Sequence, residues 1–295
     1  MTAPRISSLV DGLPAVSNQG HIAFGSVTFI EGEDRDGTTK RILVDTAHVG
    51  RRMMIVDALS ARGLTPLDID YVVGTHAHWD HIQNVDLFTN AKLLMHARER
   101  KYSHNPLLDD WATPSWTGFV IEQLEVDEVG EGHEIIPGVS IMEMFGHSVG
   151  SIGVLVDTDD GRAAVTSDAL HFAWVAQTRH NPLVFWDERH ADQTIERVLA
   201  NSDVIYPGHD MPFRVAKNGA VELLRTAHMT LSGIEPEKVP VSHGVSLMPG
   251  RHFDCDKAPA WSDESTNQRI HEVVARRYEK GLVPFPTEAW DSNGS

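Results

Sequence analysis

The chain has 295 residues, with 25 basic against 42 acidic side chains and a formal net charge of -17. Clustered Lys and Arg supply most phosphate-backbone affinity, so this balance excludes nucleic acid from the expected partners. The single cysteine, Cys255, excludes an intramolecular disulfide and a Cys-rich zinc site, while 41% hydrophobic and 23% charged residues suit a globular protein with a substantial core.

The first thirteen residues lack the apolar stretch of a secretion signal, and no apolar run reaches the ~18 residues of a membrane span. The expectation is a soluble, cytoplasmic protein with no membrane partner. Residues 21–31, rich in β-branched and aromatic side chains, predict a strand; 32–39 is a polar turn with Asp36-Gly37, and 41–45 a second strand, together a hairpin. Over 50–62, Met53, Val56 and Leu59 recur at helical spacing before Gly63, a residue suited to a helix C-terminus. A short buried strand at 71–74 leads into Thr75-His76. Further strands are predicted at 92–96, 139–145, 152–157, 163–167 and 203–206, and helices at 191–200 and 219–229. The segment 97–120, with Trp111 and Trp116, reads as a long irregular loop. Residues 235–262 are punctuated by Pro and Gly, and a last helix spans 265–280. This alternation predicts an α/β layered fold with mixed sheets. The expected division is a catalytic domain over 1–234 and a C-terminal extension over 235–295, its helix packing on the same domain or on a partner subunit.

Four potential ligands, His76, His78, Asp80 and His81, fall within six residues directly after an apolar strand. Alternate side chains at a strand end point at one spot, which brings His76 and His78 together; Asp80 and His81 continue around the turn. Imidazole and carboxylate suit zinc, manganese, iron or cobalt. Three more ligand types each sit where a predicted strand meets a loop: His147 in Gly146-His147-Ser148-Val149-Gly150-Ser151, Asp168 after Ala163-Ala164-Val165-Thr166-Ser167, and His209 in Pro207-Gly208-His209.

This HxHxDH run, followed by GHSxGS, a strand-end Asp and PGH, resembles the metallo-β-lactamase superfamily over roughly residues 20–215. Leu43-Val44-Asp45-Thr46 is similar to the family's strand-end Asp, which orients ligands. The resemblance implies a four-layer αβ/βα sandwich with two divalent metal ions, zinc first among them, at the sheet edges. His76, His78 and His147 would hold the first metal, Asp80, His81 and His209 the second, and Asp168 would bridge both. Two cations acidify a water held between them, which makes hydroxide available near neutral pH.

Asp168 stands where some β-lactamases of the family have Cys, and HxHxDH differs from the HxExD of the flavin-linked di-iron reductases. The branch most similar is that of the N-acyl homoserine lactonases, which are quorum-quenching enzymes, and pyridoxolactonase-like enzymes. It implies hydrolysis of a lactone or small cyclic ester, with Asp80 and His171 beside the reacting bond. Many such lactonases carry Tyr where this chain has His171. Glyoxalase II-like thioesterases are the near alternative, and the mononuclear iron persulfide dioxygenases a different chemistry with the same HxHxDH. The expected partner is a small-molecule substrate, and a homodimer is compatible with the C-terminal helix. Trp111, Trp116, Phe119, Trp174 and Trp186 are candidates for an apolar pocket.

Overall fold

The computed structural model describes residues 2–13, 16–17, 20–216, 219–226 and 229. Its first half contains β1 (Arg5–Val10), β2 (Val16–Ser17), β3 (Gly20–His21), β4 (Val27–Glu33), β5 (Thr39–Val44), α1 (Arg52–Ser60), β6 (Tyr71–Val73), α2 (Trp79–Ile82), β7 (Lys92–Met95), α3 (Ala97–His104), α4 (Thr117–Ile121) and β8 (Glu125–Glu128). The second contains β9 (Glu134–Ile136), β10 (Val139–Glu143), β11 (Ile152–Thr158), β12 (Gly161–Ser167), α5 (Ala173–Thr178), α6 (Glu188–Asn201), β13 (Val204–Pro207), β14 (Phe213–Val215) and β15 (Val221–Leu223).

The strands form a six-stranded sheet, β1-β4-β5-β6-β7-β8, a seven-stranded sheet, β15-β14-β13-β12-β11-β10-β9, and a separate two-stranded antiparallel pair, β2-β3. The two large sheets are mixed: β5, β6, β7 and β8 run parallel, as do β12 and β13, while the remaining pairs are antiparallel. The period-2 alternation of a strand assigns each side chain to a layer. On β5, Ile42 and Val44 enter the core between the sheets, where they join Val139, Ile141, Val154 and Val165 of the second sheet. Leu43, between them, faces outward onto Ile55 and Leu59 of α1. On the opposite flank, Ala164 and Ile205 face outward onto Ile195 and Val198 of α6. Three apolar clusters between four layers make the predicted αβ/βα sandwich.

The predicted hairpin forms, but its first strand begins at Val27; residues 22–26 instead run as a loop past the ligand segment, with Phe24 bridged to Leu13. Two expectations are corrected. The predicted helix at 219–229 is in part the strand β15: Gly219 takes φ +81, Ala216 N–H donates to the Ala220 carbonyl, and Val221 pairs with Val215 in a hairpin.

 Gly37, with φ +82, turns the β4–β5 hairpin in the same left-handed conformation. The turn chemistry of Gly219 overrides the helical spacing of the apolar residues behind it. The loop expected over 97–120 contains α3 and α4, and α3 escapes an apolar-periodicity reading because its buried face is Glu99, Tyr102 and Ser103. The extension at 235–295 and its helix at 265–280 lie outside the described residues. Among the described residues, no helix is long and apolar enough to cross a membrane.

Candidate metal centre

Five strand ends deliver the site. Asp45 follows β5, the segment 75–81 follows β6, His147 follows β10, Asp168 follows β12 and His209 follows β13. The parallel pairing of β5 with β6 and of β12 with β13 puts these ends on one edge of the sandwich.

The seven predicted ligands converge there as two buried groups, His76, His78, His147 and Asp168, and Asp80, His81 and His209. Within each group one ligand atom per residue lies within 4.8 Å of the others. Asp168 joins the groups. Its Oδ2 is 3.5 Å from His147 Nε2, and its Oδ1 is 3.3 Å from His81 Nε2 and 3.4 Å from His209 Nε2. Asp80 Oδ2 closes the second group at 3.3 Å from His209 Nε2 and 3.6 Å from His81 Nε2.

The outer ring nitrogens identify which atoms face inward. His76 Nδ1 is 3.0 Å from the Thr75 hydroxyl oxygen, His81 Nδ1 2.8 Å from Asp45 Oδ2, and His147 Nδ1 2.6 Å from the Leu183 carbonyl. With each outer N–H donating to oxygen, the Nε2 lone pair of each ring is left for the centre. For His78 the inward atom is Nδ1, 2.9 Å from His147 Nε2. Asp45 anchors much of this arrangement: it also accepts from the Thr75 amide at 3.0 Å and from the Ser167 hydroxyl at 2.7 Å. Asp45 and Ser167 have φ of +64 and +45, unusual for residues other than glycine, and each lies at the end of a strand beside the centre.

The electrostatics favour cations. Burial, reinforced by neighbouring imidazoles, pushes His76 and His147 well below the ordinary histidine range, so both rings are neutral. Burial also opposes protonation of His81, but Asp168, Asp80 and Asp45 outweigh it and hold that ring well above its usual value. Three buried carboxylates therefore surround a position that attracts positive charge. His76 Nε2 and Asp168 Oδ1 are buried with no hydrogen-bond partner, a state that costs about 1–3 kcal/mol per group unless something else satisfies it. A divalent ion in each group would satisfy both atoms, and the imidazole and carboxylate donors fit such an ion.

His171 lies at the end of the turn that begins with Asp168. It is fully buried, with Nε2 3.4 Å from Asp168 Oδ2 and its ring against that of His147. Burial pushes it down to about 4. The cavity over the centre is lined by Leu13, Ala23, Trp79, Trp111, Ala112, Phe172, Leu183 and Phe185 together with His78, Asp80, His147, Asp168 and His209. Of the aromatic residues expected there, Trp111 lines it. Trp116 and Phe119 are exposed, Trp174 packs on the α6 side of the second sheet, and Trp186 meets Tyr102. Trp79, Phe172 and Phe185 take their places because they neighbour ligands in the chain or in space.

Two carboxylates escaped the sequence reading. Glu99 accepts from the Ala77 amide at 2.8 Å, the Gly150 amide at 2.8 Å and the Ser148 hydroxyl at 2.7 Å, tying the His76–His78 segment to the His147 loop. Asp110 stands 3.6 Å from His78 Nε2. Burial works against its ionisation, yet His78, Tyr102 and Thr113 pull it down to about 2. Asp110, whose side chain accepts from the Ala112 amide two residues on, forms an Asx-type turn of the kind Asp favours in loops; nothing in the sequence marks Glu99.

The family model described as the metallo-beta-lactamase superfamily matches residues 23–209. A Xenopus laevis protein named metallo-beta-lactamase domain-containing protein 1 is 31% identical over 231 residues, 74% of this chain and 89% of its own length. The match to the Mus musculus protein of that name covers 60% of this chain and 62% of the mouse protein. An N-acyl homoserine lactonase from a Bacillus species is 27% identical over 69% of this chain and 76% of its own. Among solved structures, a quorum-quenching N-acyl homoserine lactone hydrolase superposes with a TM-score of 0.56 at 21% identity, covering 71% of this chain and 93% of that one.

Proposed function

The chain belongs to the metallo-beta-lactamase superfamily, and from that premise we propose that it is a two-metal hydrolase that opens a lactone or small cyclic ester. The observation that carries the two-metal part is the division of Asp168 between the ligand groups, one oxygen toward each. Bound divalent cations, zinc first among the candidates, would acidify water and polarise a carbonyl.

The chain's own residues supply the rest. Asp45, Thr75 and the Leu183 carbonyl hold the imidazoles in the tautomers that aim lone pairs inward. Asp80 closes the second group at the cavity wall, where it faces an entering substrate. His171, kept neutral by burial, has one N–H to donate toward Asp168 or toward a substrate oxygen drawn in beside it. Leu13, Trp111, Phe172 and Phe185 exclude water from the acyl or ring portion. Among the described residues, no Lys or Arg lines this cavity, which favours a neutral ester over a phosphorylated substrate. A homoserine lactone is one such ester, supported by the Bacillus relative, and a thioester of comparable size is the near alternative.

The test is hydrolysis by the metal-loaded protein, followed with a pH indicator, across lactones, linear esters, thioesters and phosphodiesters. Preferential acid release from lactones supports the reading. Preference for thioesters moves the assignment to that class, and oxygen consumption with a single bound iron replaces it with dioxygenase chemistry.

A further inference from the structure

His78 differs from the other histidines of its group in presenting Nδ1 to the centre, 2.9 Å from His147 Nε2. Its remaining N–H is then on Nε2, an atom that is buried and has no hydrogen-bond partner. The carboxylate facing it is Asp110, whose Oδ1 is 3.6 Å away and whose side chain is as buried as that of His78. Asp110 is rigidly held. Its Oδ1 accepts from the Ala112 amide at 2.9 Å and the Thr113 amide at 3.0 Å, and its Oδ2 from the Tyr102 and Thr113 hydroxyls, both at 2.7 Å.

The turn closed by these bonds contains Trp111 and Ala112, which line the cavity. The Ala112 carbonyl accepts from the Trp79 amide at 3.0 Å, so the turn is also fastened to the ligand segment. Trp111 packs edge-on against Phe185, which in turn packs against the rings of His78 and His147.

We propose that Asp110 is a positioning residue that fixes the His78 ring for Nδ1 ligation and, through the same turn, sets the Trp111 wall, so that metal loading and cavity shape are coupled. The partner it selects for is a divalent cation in the first ligand group. A carboxylate behind a ligating imidazole fixes the tautomer and raises ligand basicity, and loss of such a partner typically weakens metal affinity by about 10–100-fold. The inference rests on the two-metal reading above.

The experiment compares full-length wild type, Asp110→Asn and Thr113→Val, each titrated with cobalt(II) against a competing chelator and followed by its visible absorption bands. Asparagine keeps the size and one acceptor oxygen but removes the charge facing His78. Asp110→Asn is expected to weaken one of the two cobalt equivalents about 10–100-fold, shift its bands and raise KM for an apolar ester. Thr113→Val, which leaves the carboxylate in place, is expected to retain the wild-type bands. Unchanged affinity and bands in Asp110→Asn overturn the role of Asp110 while leaving the two-metal reading intact; a wild type that binds no cobalt overturns both. If Asp110→Asn does not fold, nitrogen-15 spectra of the histidine rings in zinc-loaded wild type decide: a protected proton on His78 Nε2 supports the proposal, and a proton on Nδ1 overturns it.

Discussion

Replacing Glu99 by alanine removes the tie between the two ligand loops, and its effect can be worked from three hydrogen bonds. The carboxylate accepts from the Ala77 amide, the Gly150 amide and the Ser148 hydroxyl, all within 2.8 Å and all buried. In Glu99→Ala the Ser148 hydroxyl can turn to Ser151 Oγ at 2.7 Å, but the two amides lose their acceptor. Each unsatisfied buried donor costs about 1–3 kcal/mol, so the variant should lose roughly 2–6 kcal/mol. At about 2–4 °C per kcal/mol for a domain of this size, the melting temperature of the metal-free protein should fall by roughly 4–24 °C. Ala77 lies between His76 and His78, and Gly150 belongs to the loop of His147, so three ligands of one group lose their common anchor. First-metal affinity should drop as well, by about 10–100-fold on the scale of supporting-residue losses. Differential scanning fluorimetry of the metal-free protein and a chelator-competition titration read the two effects separately. A melting temperature within about 2 °C of wild type, with unchanged metal affinity, would refute the anchor argument.

Gly208 packs so closely on Asp168 that a β-carbon would overlap its Oδ1, so Gly208→Ala should displace the shared carboxylate and lower kcat/KM by about 100-fold or more; near-normal turnover would show that Asp168 has room to move. His171→Leu removes two ring nitrogens that have no hydrogen-bond partner, so metal stoichiometry by elemental analysis should stay at two while kcat falls. Loss of metal in that variant would instead assign His171 to the support of Asp168. Trp111→Ala should raise KM for an apolar ester by about 10-fold, the equivalent of a lost buried contact of ~1.4 kcal/mol, with metal content unchanged; an unchanged KM would remove Trp111 from the substrate wall.

Much of the centre is legible in the sequence because its ligands sit at strand ends. A short apolar strand followed within three residues by His, Asp or another ligand type fixes where the side chain emerges, and Val73, Ser167 and Pro207 each end such a strand. The layers are legible for a related reason: alternation along β5 places Ile42 and Val44 on one face and Leu43 on the other. What stays hidden lacks an apolar period. Helix α3 turns Glu99 and Tyr102 inward to serve polar partners, so its sequence resembles an exposed loop. The β14–β15 hairpin depends on the backbone conformation of Gly219, which outweighs the apolar spacing that follows it. The aromatic wall is set by tertiary neighbours: Phe185 is held at the centre by the hydrogen bond its backbone N–H donates to the His147 carbonyl, a contact that no local pattern announces.

The measurement that bears most directly on this account is the metal stoichiometry of the purified full-length protein, taken together with lactone hydrolysis before and after chelation. The expected result is two equivalents of divalent metal, acid release from lactones, loss of that activity on chelation and its return when metal is restored. One equivalent at saturation, or lactone hydrolysis that survives complete removal of metal, would contradict the bridging role of Asp168 and the two-metal hydrolase built on it.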